Sequence, residues 1–251
     1  MRTLIVGAGT MGAWFGELIG EWASVAYTDL DSDRAHRTAD SQNVEAVRLD
    51  NVTENDIITF AVPLHATVSA IEDFGHLASR AIIDLSGSMA EPLQAMRSLD
   101  TDCELLCLHP LFAPENAPGN VPMVTENSGP IEDRITELLQ DHGNTPFQTT
   151  AAEHDAAMQV VQAQVHLVIL AYADAAKPVS SKFHTPISRQ LTSLTRSVLD
   201  GDSRVYADIQ AQFAGAEDIA TSASYLASAN TDQFNEAYSR LASKWLDDSP
   251  D

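Results

Sequence analysis

Apolar residues in the first half of the chain fall into short bursts, each followed by a stretch with helical spacing. Thr3-Leu4-Ile5-Val6 reads as a strand, and Met11 to Trp22 as the helix that follows it. Ser24 to Thr28 is a second strand, with a short helix over Ser32 to Thr38. Ile57 to Val62 reads as a buried strand ended by Pro63, which has no N–H for a sheet ladder. Ala81 to Leu85 and Leu105 to Leu108 are two more strands, and Ile131 to Leu139 is a helix stopped at His142-Gly143. Strand and helix in alternation predict βαβ units, hence a parallel sheet of the α/β Rossmann type over residues 1–150.

From Ala151 the pattern changes. Glu153 to Ala173 is one long, mostly apolar helix, too apolar for a one-sided surface helix. After Lys177-Pro178 come four further helical stretches: Ile187 to Leu199, Val205 to Phe213, Asp218 to Ala227 and Asp232 to Trp245. Residues 151–251 therefore read as an all-α second domain. A helix apolar on every side needs neighbours all round, and about 100 residues supply few. A homodimer that packs these helices together is the expectation.

Charge changes the picture more than composition does. Asp and Glu number 36 against 14 Lys plus Arg, a formal net charge of −22. Such a surface repels nucleic acid and anionic membranes. The acids are spread along the chain rather than gathered in one block, which favours a halophilic protein over a dock for a basic partner. At molar salt the Debye length falls to about 3 Å, so an anionic ligand still reaches the protein. The densest apolar stretch, Val160 to Ala173, is interrupted by Gln162, Gln164 and His166, and no membrane span is expected. After Met1 and Arg2 the chain enters a strand directly, predicting no secretory leader and a cytoplasmic location. Cys103 and Cys107 point to one face of a strand and read as small buried hydrophobes; no ligand set for a metal is spaced around them.

The chemistry begins at the first turn. Strand Leu4-Ile5-Val6 runs into Gly7-Ala8-Gly9-Thr10-Met11-Gly12 and a helix. Gly7 suits a tight turn, Gly9 the approach of a pyrophosphate, Gly12 the packing of helix on strand, and the helix N-terminus offers free N–H groups to phosphate. Asp29 ends the second strand, placed to accept from adenosine ribose hydroxyls and to repel a 2′-phosphate, which favours NAD over NADP. Arg34 and Arg37 nearby pull the other way. Thr10 and Met11 in the glycine loop, with Val62 and Pro63 after the Ile57 strand, complete the expected cofactor cradle. His109-Pro110 directly follows the strand Leu105 to Leu108, and ligands of open parallel sheets bind beyond the carboxyl ends of strands. A histidine there can accept a hydrogen bond from a substrate hydroxyl as hydride leaves its carbon.

Several segments together resemble the prephenate/arogenate dehydrogenases of tyrosine biosynthesis. They are the glycine loop, Phe60-Ala61-Val62-Pro63-Leu64-His65, Asp84-Leu85-Ser86-Gly87-Ser88, Leu108-His109-Pro110-Leu111-Phe112-Ala113-Pro114, Glu153-His154-Asp155 with His166, and Val205-Tyr206-Ala207-Asp208-Ile209. The resemblance covers about residues 1 to 215 and implies a monofunctional, NAD-dependent oxidative decarboxylation of prephenate or arogenate. It implies that His109 is catalytic, that His166, His154, Ser86 and Ser88 contact substrate, and that an arginine of the later helices binds the ring carboxylate. The family's serine falls on Gly87 between Ser86 and Ser88, and its arginine falls one residue from Arg196, leaving Arg189 as the alternative. Read from the residues alone, His154 is equally a polar group at a helix start, and His166 a core histidine. Two other readings stay open. A β-hydroxyacid dehydrogenase would want a lysine on the long helix, and Glu153 to Ala173 has none; a non-catalytic dinucleotide sensor would have no use for His109-Pro110.

Overall fold

The structure, a computed structural model, describes residues 1–246. The first elements are β1 (Arg2–Val6), α1 (Thr10–Gly20), β2 (Ser24–Thr28), α2 (Ser32–Gln42), β3 (Glu45–Ala46) and β4 (Asn55–Phe60). Next come α3 (Thr67–Phe74), β5 (Ala78–Asp84), α4 (Ala90–Arg97) and β6 (Glu104–Leu108). β7 (Asn120–Glu126), α5 (Pro130–Asp141) and β8 (Thr145–Gln148) complete one sheet in the order β3-β2-β1-β4-β5-β6-β7-β8. The chain winds outward from β1 to β3, returns to β4 on the other side of β1, and winds outward again to β6. Beyond the carboxyl ends of β1 and β4 this reversal leaves the crevice where such sheets take ligands.

Strand alternation sorts the core into two faces. Leu4, Val6, Ile58, Phe60, Ile82, Leu105 and Cys107 pack with Ile71 of α3 and Leu93 and Met96 of α4. Ile5, Ile57, Ile83, Leu106 and Leu108 pack with Phe15 and Ile19 of α1 and Ile131, Ile135 and Leu138 of α5. Both faces are covered, which is why these strands are apolar runs rather than alternating ones. Cys103 and Cys107 lie in the same cluster, both buried, as their spacing indicates.

Three strands and two helices go beyond the sequence reading. β3 is a two-residue edge and β8 a four-residue one. β7 contains Pro122, a residue that normally argues against a strand. Here Pro122 lends only its carbonyl, which accepts from the His109 N–H at 3.1 Å. β7 runs antiparallel to β6, so the otherwise parallel sheet ends in a mixed edge. β4 stops at Phe60, short of Pro63, and α2 continues past Thr38 to Gln42, with Asp31 capping its start by accepting from the Arg34 N–H. α3 and α4 are the two helices.

Glu104 at the start of β6 is buried, and its carboxylate accepts from the N–H of Ile131 at 3.1 Å and of Glu132 at 2.8 Å. Those are orphan donors at the N-terminus of α5, where a negative charge also meets the positive end of the helix dipole. Gly129 makes room, since a Cβ there would lie 2.5 Å from the Glu104 Oε1.

The remaining elements are α6 (Ala151–Met158), a π-helical segment (Gln159–Gln164), α7 (Val165–Ala175), α8 (Pro186–Asp200), α9 (Ser203–Gln212), α10 (Ala216–Ser228) and α11 (Thr231–Leu246). The chain divides into two compact units: Met1–Met158 with Ala207–Gln212, and Gln159–Tyr206 with the chain from Phe213 onward. The second unit has a thin core, with Ala163, Ile169, Val198, Phe213 and Ala237 as its buried apolar residues. Val160, Val161 and Val165 of the long helical run are about half exposed, and Phe183, Ile187 and Trp245 more so. By length and composition alone the run Ala151–Ala175 is apolar enough to cross a membrane, and only 17% of its most apolar window is buried in the chain. The expectation of a helix enclosed on every side is therefore not met within a single chain.

Replacing Glu104 by alanine leaves the buried Ile131 N–H without a partner and should cost about 1–3 kcal/mol of stability. Glu104→Gln, which keeps one acceptor oxygen, should cost less. Urea unfolding of the two variants checks both, and no loss in either would mean that the cap contributes nothing.

Candidate active site

The glycine loop is shaped by two close approaches. Gly7 has φ +105, and a Cβ on it would lie 2.4 Å from the carbonyl oxygen of Ala61, in the segment leading to Val62 and Pro63. A Cβ on Gly12 would lie 2.0 Å from the Gly7 carbonyl oxygen. Gly9 differs: a Cβ there would meet nothing within 4 Å. Its backbone faces open space, as a pyrophosphate approach requires. Gly9 caps α1 without a side-chain bond, and no acidic residue sits in the first turn at Thr10 and Met11, so no side chain competes for the N–H groups an anion would take.

Asp29 stands where the second strand ends. Its Oδ2 accepts from the Ala8 N–H at 2.9 Å and its Oδ1 from the Asp31 N–H at 2.8 Å. A carboxylate has about four acceptor sites, so capacity remains for ribose hydroxyls. Arg34 approaches Asp29 to 3.7 Å, and Arg37 lies 3.8 Å from Asp31. Beside them is a pocket of about 270 Å³ lined by Asp29, Leu30, Ala35, His36, Val47 and Arg48. The loop and the carboxylate fit a dinucleotide.

His109 follows β6 and is held twice. Its N–H is tied to Pro122, and the segment beyond it is pinned by Phe112 packing edge-on against Trp14 of α1, centroids 5.4 Å apart. The ring is buried, and its Nδ1 lies 2.9 Å from the Nε2 of His154. His154 is buried too, with its Nδ1 2.8 Å from the Oδ1 of Asp155. Asp155 also accepts from the N–H of Met89 at 3.0 Å and of Ala90 at 3.1 Å, at the start of α4. The carboxylate can only accept, so the network assigns the His154 proton to Nδ1 and the His109 proton to Nδ1, leaving Nε2 of His109 as the accepting nitrogen.

Burial above all, then the neighbouring His154, lowers the His109 pKa to about 3, with Asp155 pulling it the other way. Burial also pushes Asp155 up, but the hydrogen bonds from His154, Met89 and Ala90 outweigh it and leave the carboxyl below its usual value. His109 is thus a neutral imidazole at any ordinary pH, suited to accept a hydrogen bond.

The other candidates separate by unit. Ser88 is fully buried, its Oγ 3.4 Å from the Gln212 Nε2. Ser86 is buried and turned inward, its Oγ 2.6 Å from the Oδ2 of Asp84. Both ring nitrogens of His154 are engaged by protein groups, as the Ser86 hydroxyl is by Asp84. In the second unit, His166 stacks edge-on against Tyr206 at 4.9 Å. Its Nδ1 is buried without a hydrogen-bond partner, and burial lowers its pKa. The satisfied core histidine is not what the structure holds. Arg189 and Arg196 are both exposed on α8. Asp155 is not singled out by the sequence as a site residue: within Glu153-His154-Asp155 it reads as a charge favourable at a helix start, and the signal for more is a carboxylate next to a histidine.

Fold and site together define a doubly wound α/β protein whose glycine loop and Asp29 fit a dinucleotide, with a buried histidine beyond a central strand and an all-α second unit. No family model matches the chain. It is 28% identical over 165 residues to the T-protein of Haemophilus influenzae, covering 61% of this chain and 44% of that protein. To the T-protein of Enterobacter agglomerans it is 26% identical over 220 residues, covering 82% and 55%. The chain thus spans about half the length of the curated relatives it matches. Among solved structures, prephenate dehydrogenase from A. aeolicus, in complex with hydroxyphenyl propionate and NAD+, superposes with TM-score 0.69 at 16% identity, covering 98% of this chain and 93% of that one. Synechocystis arogenate dehydrogenase gives 0.58 at 12% identity, covering 97% and 98%. The resemblance read from the motifs is borne out: the chain has the fold of the prephenate and arogenate dehydrogenases and is similar in sequence to the T-proteins.

A histidine with a folded pKa below its unfolded value of about 6.5 binds its proton more readily when unfolded, so its contribution is full above pH 6.5 and falls as pH drops toward about 3. His109 alone should cost about 2 kcal/mol between pH 7 and pH 5. Urea unfolding at the two pH values, wild type against His109→Asn, reads this, and an identical pH dependence in both would show that His109 is not held neutral by the fold.

Proposed function

We propose that this chain catalyses the NAD-dependent oxidative decarboxylation of prephenate or arogenate. The observation that carries the reading is the hydrogen-bonded series Asp155–His154–His109, which presents a neutral imidazole beyond the carboxyl end of β6 in a dinucleotide-binding sheet. The glycine loop from Gly7 to Gly12 and Asp29 would hold the cofactor's pyrophosphate and adenosine ribose, with Val62 and Pro63 at the edge of the cradle. When bound, NAD+ supplies the hydride acceptor.

His109 accepts the hydrogen bond of the ring hydroxyl at Nε2 while its Nδ1–H donates to His154. As hydride leaves the carbon bearing that hydroxyl, the hydroxyl becomes more acidic, and partial charge on His109 is met by Asp155 through His154. The carbon–carbon bond to the ring carboxylate breaks, its electron pair completes the aromatic ring, and carbon dioxide departs. His166, whose buried Nδ1 has no hydrogen-bond partner among the described residues, is read as a substrate ligand. Arg196 is read as the group that pairs with the ring carboxylate, its planar fork suited to a bidentate contact.

The helical part from about residue 151 is read as the substrate-binding and dimer-forming domain of a cytoplasmic, halophilic enzyme. Its thin core and half-exposed valines support a second copy as the cover for its apolar helices. The acids spread through the sequence support salt tolerance.

An absorbance assay of NADH formation with prephenate, arogenate and small hydroxyacids tests the activity. His109→Ala should lower kcat by about 10²- to 10⁴-fold with little change in NAD+ affinity. Arg196→Gln should raise KM for the substrate by about 10- to 150-fold, the worth of a charge-assisted pair. Turnover of hydroxyacids alone would refute the reading, and an effect at Arg189→Gln in place of Arg196→Gln would move the carboxylate site nearly two helical turns.

Sedimentation in molar and in dilute salt, without detergent, should give a dimer that melts at a higher temperature in the salt. A monomer, or a melting temperature indifferent to salt, would count against the dimer and the halophilic reading respectively.

A further inference from the structure

Asp84 closes β5 and is 1% exposed. Its partners in register are Phe60 on β4 and Cys107 on β6. Of these only Cys107 titrates, and burial holds it as a neutral thiol. No positive charge contributes to the environment of Asp84, and burial pushes its carboxyl up to about 7 against the pull of the Ser86 hydroxyl and the Ser86 and Leu85 backbone.

The proton count around Ser86 is the sharper observation. Its Oγ lies 2.6 Å from the Asp84 Oδ2 and 3.0 Å from the Ser88 carbonyl oxygen. A hydroxyl carries one proton. If Asp84 is ionised, both neighbours are acceptors only, and one contact sets lone pair against lone pair. If Asp84 carries a proton on Oδ2, it donates to the Ser86 Oγ, which donates to the Ser88 carbonyl, and both contacts become hydrogen bonds. The Asp84 Oδ1 is buried without a hydrogen-bond partner among the described residues, which a neutral acid tolerates far better than a carboxylate.

The turn fixed in this way abuts His109. A Cβ added to Gly87 would stand 3.5 Å from the His109 Nε2 and 3.7 Å from its Cε1, so the Gly87 backbone flanks the accepting edge of the ring. We propose that Asp84 is kept as a carboxylic acid and serves as a hydrogen-bond donor that positions the Ser86–Gly87–Ser88 turn against His109. It is a positioning residue that never meets substrate, and the kinetic arm of its test rests on the function proposed above.

Isotope-edited infrared spectra, wild type minus Asp84→Asn, should show a protonated-carboxyl stretch near pH 6 that disappears as the pH rises through about 7. In activity, Asp84→Asn should keep most of kcat, because its amide donates in place of the acid, and should hold that rate at higher pH where the wild type declines. Asp84→Ala should lose roughly 10- to 100-fold in kcat, the scale of a misplaced catalytic geometry, with KM little changed. A carboxylate band with no acid band in the folded wild type would overturn the proposal, as would a folded Asp84→Asn that loses as much kcat as Asp84→Ala. Should Asp84→Ala fail to fold, the infrared band and the Asp84→Asn profile still decide. If the wild type turns over no substrate of the panel, the proposed function fails and the infrared result alone judges Asp84.

Discussion

The carboxylate of Asp155 is the charge on which the site depends. One group satisfies two donors at the start of α4 and fixes the tautomer of His154, and through it that of His109. Burying an unpaired carboxylate is costly, and this one stays ionised because three donors converge on it. Remove the charge and both histidines lose the reason for their orientation. The tautomer of His109 is therefore set two residues away in space, by a side chain that also caps a helix.

The Rossmann half was legible because its signals are local. Gly7, Gly9 and Gly12 each answer a different backbone demand, and the strand before them is an unbroken apolar run. What stayed hidden depends on partners distant in the chain. β7 is a strand because β6 pairs with it, and Pro122 is tolerated there because only its carbonyl is used. Ser86 and Ser88 read as interchangeable polar residues until Asp84 and Gln212 separate them. His154 was readable as polar, but its role required His109, distant in sequence, to arrive at its Nε2.

The two halves solve burial differently. The sheet encloses Tyr27, Phe15 and Phe60 completely, whereas the second unit keeps few side chains from water. High net charge opposes association while exposed apolar faces favour it, so charge and thin packing bear on each other. The His166 Nδ1, which has no hydrogen-bond partner among the described residues, belongs to the same unit.

Both cysteines lie in the core on one side of the sheet, and burial raises the Cys107 thiol well above its ordinary value. Thiolate, the form that attacks disulfides and reacts with oxidants, is scarce at Cys107. With both of its cysteines enclosed in the core, the chain offers surrounding oxidants no exposed thiol.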